Sequence, residues 1–523
     1  VVQPVREILI LGGGTAGWLT AASLAARLAT ARPGGVKITL VESRDIGVIG
    51  VGEGTFPTIR RLLANLGRSE FEFMRACSAT FKQGARFENW ADTPWPGEAP
   101  RGYNHPFHAP EPTESGLDLL PYWLMGAAGD VQYTCAVGIG DRVYESLRGP
   151  KRLGERSFVG PMAYAYHFDA GKLAAWLAEV GQSLGVRRLI GTVDRVHLTE
   201  DGAIRALQTP EHGELTADLF IDCSGARSSL VGEALGSPFR DIGDTLFVDR
   251  ALAAPVPYAD PRRPIACQTL ATAHAAGWTW DIGLNDRRGV GYVYSSRHTD
   301  DAEAEAVWRD YVGPEADGLA PRLLKLRLGY RERSWVKNAV AVGLSSGFLE
   351  PLESTGIVMI GVAADLIADL LPATAETFAP AARTFNRAIT QRFLGQIDFL
   401  KLHYCLSRRS DNAFWTDNAD RATWPESLAD HLDQWRQRPP SRHDFSSSHE
   451  TFTLFSHASV LYGMGFRTDL GGREALYPHG EQARREFARI AAAAERAVAA
   501  LPDHRSLVEF TYGHAPQAAG GPP

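Results

Sequence analysis

Glu7-Ile8-Leu9-Ile10-Leu11-Gly12-Gly13-Gly14-Thr15-Ala16-Gly17-Trp18 decides how the chain folds. Glu7 to Leu11 is a short apolar run of strand length that stops at three glycines. A helical pattern then begins, with Trp18, Leu19, Ala22, Leu24 and Leu28 crowding one side. A second β-branched run, Val36 to Val41, ends at Glu42, which completes a β-α-β unit. Between strand and helix, Gly12-x-Gly14-x-x-Gly17 has a physical purpose. Its glycines permit a tight turn, close approach of backbone to a pyrophosphate, and close packing of helix on strand, while the helix N-terminus faces the anion with its positive end. Glu42 stands at the right distance to accept a ribose hydroxyl. The bland alternative, a glycine turn with no ligand, loses weight because strand, helix and acid are all in place.

Outward from that unit, Asp218 to Asp222 is an apolar strand running into the small turn Cys223-Ser224-Gly225. It resembles the second cofactor-contacting segment of glutathione-reductase-like flavoproteins, so FAD is favoured over NAD. Lys172 to Leu184 predicts a helix. Trp278 to Leu284 and Val290 to Tyr294 predict an antiparallel sheet set between the flavin-fold segments. Six prolines between Pro94 and Pro112 exclude a regular helix or a central strand there, so that stretch is an excursion lying over something else. After Phe378 the chain reads as mostly helical. The expected class is therefore α/β (α+β): a glutathione-reductase-like FAD-binding fold with an added antiparallel sheet and a mostly helical C-terminal substrate subdomain. Residues 1–378 form the FAD-binding module, 379–514 the subdomain over the substrate, and 515–523 a disordered tail.

At 523 residues with a net charge of −7 and scattered basic residues, the chain is not a nucleic-acid binder. Five cysteines without a CxxC pair read as the reduced thiols of a cytoplasmic protein. Val1 to Arg6 lacks a charged segment followed by an apolar one, so no signal peptide is expected. The longest apolar run, Val358 to Leu371, carries Asp365 and Asp369, and no membrane insertion is expected. No HExxH or Cys/His cluster suggests a metal.

Longer motifs name a family. Gly12 to Trp18, Ala79-Thr80-Phe81-Lys82-Gln83-Gly84 followed by Phe87 and Trp90, and Tyr164 to Asp169 resemble the flavin-dependent tryptophan halogenases. So does the run Gly343-Leu344-Ser345-Ser346-Gly347-Phe348-Leu349-Glu350-Pro351-Leu352-Glu353-Ser354-Thr355-Gly356-Ile357, and the likeness continues through His403-Tyr404 to Trp415 before weakening. The resemblance implies that FAD arrives already reduced by a separate NAD(P)H-dependent flavin reductase. With oxygen, it implies, a bound chloride or bromide becomes hypohalous acid, which travels through the interior to a lysine beside a small aromatic substrate. That lysine is Lys82 by motif position. Glu353 is the carboxylate near it, Ser354 links it to the flavin site, and the amides of Thr355 and Gly356 bind halide. Gly12, Gly13, Gly14, Thr15, Ala16, Gly17, Glu42, Gly52, Val193, Asp222, Gly225, Leu344 and Ile357 are the implied cofactor contacts, with Gly52 and Glu53 in a strap over the flavin. His105 and Phe107 are the implied substrate contacts. The expected assembly is left open between monomer and homodimer.

Chemistry supports the transfer of roles. A lysine set among Phe81, Phe87 and Trp90 is expected to be desolvated, which disfavours its charge; the alternative is a lysine whose stem covers aromatic surface while its head reaches water. Trp278 and Trp280 lie two apart, share a strand face, and resemble the family's WxWxIP motif, with Gly283 where proline is usual. The aromatic and amide residues that grip free tryptophan in the family have no counterpart in Phe455 to Leu461, so indole or another aromatic heterocycle fits as well. Three other readings compete. Gly343-Leu344-Ser345-Ser346-Gly347 fits the nucleophile elbow of an α/β-hydrolase. A single-component FAD monooxygenase would hydroxylate an aromatic substrate. A non-catalytic flavin-binding module would not need both Lys82 and Glu353.

Overall fold

In the computed structural model, which describes residues 5–44, 52–94, 101–445 and 450–513, the opening strand is the centre of a six-stranded sheet. Glu7–Leu11 pairs in parallel with Lys37–Glu42 on one side and Leu219–Asp222 on the other. Arg187–Ile190 extends one flank and Ala339–Ala341 the other, both in parallel, and Trp335–Val336 closes the edge antiparallel. Numbered along the chain, the parallel strands run 3-2-1-4-5, the doubly wound order in which ligands bind outside the carboxyl ends of the strands. Ile8, Leu9, Ile10, Phe220 and Ile221 are buried, so the sheet is covered on both faces, as a parallel sheet requires. The helices Thr15–Arg27, Ala170–Ser183 and Thr355–Leu370 cover one face, and Asp365 and Asp369 within the last one pair with Arg27. On the other face Leu9, Val41 and Phe220 pack on Ile204 and Leu207 of the strand Ile204–Thr209 and on Leu230 and Val231.

A second, seven-stranded sheet carries the predicted hairpin, with Gly277–Gly283 antiparallel to Arg287–Tyr294. Both strands are buried almost throughout, so the centre of this sheet is interior, while its edge strand Arg322–Lys325 is largely exposed. The proline-rich excursion ends in a strand after all, Gly102–Pro106. It pairs only with Gly84–Glu88 and forms the sheet edge, where proline is tolerated. A third sheet is small: Glu53–Gly54, Ala165–Phe168 and Thr80–Lys82. The chain leaves this small sheet at Lys82 and enters the large one at Gly84. Between them the Gln83 N–H donates to the Cys267 carbonyl at 2.7 Å.

From Phe378 onward the described residues are mostly helical, beginning with the 28-residue helix Phe378–Cys405. One apolar core runs from Val5 to Val508, so these helices share the interior of the flavin module and do not form a separable body. Residues 1–4 and the tail from 514 lie outside the described residues. All five cysteines are unpaired. Among the described residues no helix is long and apolar enough to cross a membrane.

Candidate active site

Two neighbouring sites emerge, one made by backbone and one by side chains. The first lies outside the carboxyl ends of the parallel strands. Gly12 has φ +113°, and a Cβ there would sit 2.2 Å from the Cys223 carbonyl oxygen; on Gly17 it would sit 1.8 Å from the Gly12 carbonyl. These two glycines are demanded by the fold itself. Gly14 and Gly225 (φ +77°) face open space, and Leu344, with 46% of its surface exposed, stands on the same rim. A crevice with an uncrowded glycine turn, a helix N-terminus and an exposed leucine fits a dinucleotide cofactor.

Other predicted cofactor residues hold the walls. Glu42 ends its strand with its carboxylate taken by the Trp18 indole N–H at 3.1 Å and by Arg188. Asp222 is fully buried: Oδ1 accepts from the Ser224 amide and hydroxyl and from Ser345, and Oδ2 from the amides of Leu230 and Val231. It therefore acts through the turn that it shapes. Val193 packs on the apolar cluster beneath this sheet. Thr15 and Ala16 open the helix, Gly13 lies against Glu42, and Ile357 is buried in the first turn of Thr355–Leu370. Gly52 takes φ +88° beside Gly289, while Val51 of the predicted strap lies outside the described residues.

Ser345, the centre of the hydrolase-like motif, is no nucleophile. Its hydroxyl is buried and donates to Asp222 and to the Gly225 carbonyl at 2.9 Å. Among the described residues its hydroxyl has no hydrogen bond to a basic side chain that could accept its proton.

The second site gathers residues far apart in sequence. Lys82 is only 1% exposed, and its Nζ donates to Ser354 Oγ at 3.0 Å. The side chain does not snorkel. The rings near the ammonium are Phe107 at 5.3 Å and Phe56 at 6.0 Å, not the expected Phe81, Phe87 and Trp90. Phe81 alternates to the other face of its strand and packs on Tyr164 and Tyr166. Burial pushes the Lys82 ammonium down to about 8, and the Glu353 carboxylate opposes part of that fall. Gly54 presses on the pair: a Cβ there would lie 2.8 Å from Ser354 Oγ and 2.9 Å from Lys82 Nζ.

Glu353 and Ser354 both occupy the left-handed region, at φ 63° and 53°. Two such residues in series cost about 1–3 kcal/mol each, and this strain is typical of functional sites. It turns Glu353 inward, where Oε1 accepts from His105 Nδ1 at 2.7 Å. His403 Nε2 faces the same oxygen at 3.4 Å, too poorly aligned to count as a hydrogen bond. The Tyr103 hydroxyl and His403 Nδ1 share a hydrogen bond at 2.7 Å; with the tyrosine as donor, the His403 proton sits on the nitrogen facing Glu353. Burial alone would raise the Glu353 carboxyl, but His105 and His403 outweigh it and hold the group well below the usual carboxylate range. His105 is thus bound to the acid, and Phe107 is the nearer partner of Lys82. Gly54, Phe56, Tyr103 and His403 complete the site and escaped sequence reasoning. His403 was legible as part of a motif, without a role.

Thr355 and Gly356 open the helix Thr355–Leu370, where the first-turn N–H groups have no carbonyl a turn earlier. A Cβ on Gly356 would meet nothing within 4 Å. The positive helix end and open amides suit an anion. No three His, Cys, Asp or Glu side chains among the described residues come together as a metal site.

The sequence profile of tryptophan halogenases matches residues 7–472, beyond the point near Trp415 where the motifs fade. The chain belongs to the tryptophan halogenase family. It is 36% identical to the 7-chloro-L-tryptophan 6-halogenase KtzR of Kutzneria sp. (strain 744), over 95% of this chain and 98% of that one. In structure it is similar to the tryptophan halogenase of Shewanella frigidimarina NCIMB 400, with TM-score 0.94, 38% identity and 99% of each chain covered. BrvH, a flavin-dependent halogenase from Brevundimonas sp. BAL3, follows at TM-score 0.86 and 34% identity, over 97% of this chain and 99% of that one. The protein is a flavin-dependent halogenase, and hydroxylation by a single-component monooxygenase is not favoured.

Two departures of this halogenase have local reasons. At Gly283 a Cβ would meet Ile265 Cγ2 at 2.7 Å, so the space of a larger residue is filled by Ile265. Phe455 to Leu461 fall within the helix Leu454–Gly463, which is mostly buried; His457 packs on Phe399 and Phe445 there.

Proposed function

We propose that this halogenase places chlorine or bromine on a small electron-rich aromatic ring, an indole or a tryptophan-like compound, with Lys82 delivering the halogen. A desolvated amine fixed by Ser354 between two phenyl rings carries this reading. When bound, FAD reduced by a separate NAD(P)H-dependent flavin reductase would give two electrons to O2, so that one oxygen atom leaves as water and the other oxidises halide to hypohalous acid. The open glycine turn and the rim at Leu344 would hold it, and the first-turn amides of Thr355 and Gly356 would hold the halide. Lys82 then receives the oxidised halogen, by hydrogen bond or as a haloamine. Phe107 and Phe56 exclude water around it. Glu353, kept ionised by His105 and His403, takes the ring proton as aromaticity returns. Several relatives are tryptophan 6- or 7-halogenases by name, but the helix Leu454–Gly463, where a grip for the amino-acid backbone is expected, is mostly buried, which favours indole-sized rings.

The test is a mass-spectrometric screen of aromatic compounds with FAD, a reductase, NADH and bromide or chloride. Halogenated indoles are the expected products. Hydroxylated products, or none with any halide, would refute the proposal.

A further inference from the structure

Glu353 has a twin. Three residues earlier in the same loop, Glu350 is 1% exposed, and its Oε2 accepts from Tyr404 at 2.7 Å. The Tyr404 hydroxyl in turn accepts from the Trp278 indole N–H at 2.9 Å. Adjacent residues in the last turn of Phe378–Cys405 thus serve two acids: His403 faces Glu353, and Tyr404 holds Glu350. The two chains end differently. Glu353 Oε1 has partners, whereas Glu350 Oε1 is buried without a hydrogen bond. Lys401, the cation whose charge acts on Glu350, is satisfied elsewhere: it donates to the Thr245 carbonyl and to Asn418 Oδ1, both at 2.9 Å. A buried carboxyl oxygen with no partner costs about 1–3 kcal/mol, more if charged, and burial pushes the group up to about 7 against the Tyr404 hydrogen bond. An unsatisfied buried polar atom calls for an explanation, and a catalytic role or a small polar guest is one.

Position suggests the guest. The loop begins at the cofactor rim with Leu344, ends at Lys82 through Ser354, and carries Glu350 between them. Leu349 and Leu352 of the same loop are buried and apolar, and Trp278, which donates to Tyr404, lies against Trp90. A neutral hydroxyl donor leaving the crevice for Lys82 would find one acceptor there.

We propose that Glu350 is a positioning residue for hypohalous acid in transit: Oε1 accepts its O–H on the way to Lys82, while Tyr404 fixes the carboxyl against Trp278. This rests on the proposed function, and the experiment separates the two. With reduced FAD, oxygen, bromide and indole, the total oxidised bromine is measured as brominated indole plus bromine caught by a soluble diketone. Glu350→Gln is expected to leave that total unchanged while the share caught in solution rises at least threefold, and Glu350→Asp is expected to restore most of the coupling. Tyr404→Phe, which keeps the ring volume, is expected to raise the escaped share by a smaller factor and remains informative if Glu350→Gln fails to fold. An escaped share equal to wild type in both variants, or a total that falls with a constant share, would overturn the proposal. No oxidised bromine from the wild-type protein would instead overturn the proposed function.

Discussion

The cofactor crevice and the Lys82 chamber are neighbours built on opposite principles. The crevice is a backbone object: glycines at fixed spacing, a helix end and the loops after four adjacent parallel strands. The chamber is a side-chain object, drawn from Gly54, Phe56, Lys82, His105, Phe107, Glu353, Ser354 and His403, where burial and charge set the chemistry. The first must have a given shape, and the second must have given protonation states. Damage to the crevice is therefore expected to cost folding and cofactor, whereas damage to the chamber is expected to cost only the use made of the oxidised halogen.

The largest effect is expected at the crevice. Gly12→Ala puts a Cβ 2.2 Å from a backbone oxygen that cannot move aside. It is expected to cost about 3 kcal/mol or more and to abolish FAD binding, read by flavin fluorescence and thermal unfolding. Retained FAD would remove the distinction at its root. Next, Glu353→Gln is expected to lower product turnover about 10²-fold with FAD affinity unchanged; a variant at wild-type rate would release Glu353 from proton transfer. Gly54→Ala crowds Ser354 and Lys82 from behind and is expected to reduce turnover about tenfold, with little change in unfolding temperature. A loss of FAD there would show that the two regions are not separable.

That contrast also explains what could be read from sequence. The glycine turn, both flanking strands and the helix were legible because their requirements lie within forty residues of one another. Lys82 and Glu353 came from family motifs, and the expectation of desolvation held while its cause did not. Phe81, Phe87 and Trp90 are near Lys82 in sequence, but strand alternation and the step between two sheets send them elsewhere, and Phe56 and Phe107 take their place. The edge strand Gly102–Pro106 was hidden by its prolines. The His403–Tyr103 support of Glu353 spans 300 residues, and no local pattern announces it.

A smaller effect concerns pH. If the halogen is carried as a haloamine, Nζ must be unprotonated, so product formation is expected to rise as pH passes through about 8. A fall over the same range would assign the ammonium as a hydrogen-bond donor. The same depression is a cost to the fold. The protonated form is disfavoured in the folded state, so the penalty is fully present below about 8 and fades as pH rises toward 10.5. Lys82→Met is therefore expected to gain up to roughly 3 kcal/mol of stability at pH 7 and almost nothing at pH 10.5, read from denaturant midpoints.

The most direct test of the division between oxidising crevice and directing chamber is Lys82→Met under turnover with reduced FAD, oxygen, bromide and indole, with oxidised bromine trapped in solution and brominated indole counted together. Trapped bromine at the wild-type rate with brominated indole at background is the predicted result. Brominated indole at wild-type yield, or no oxidised bromine at all, would contradict it.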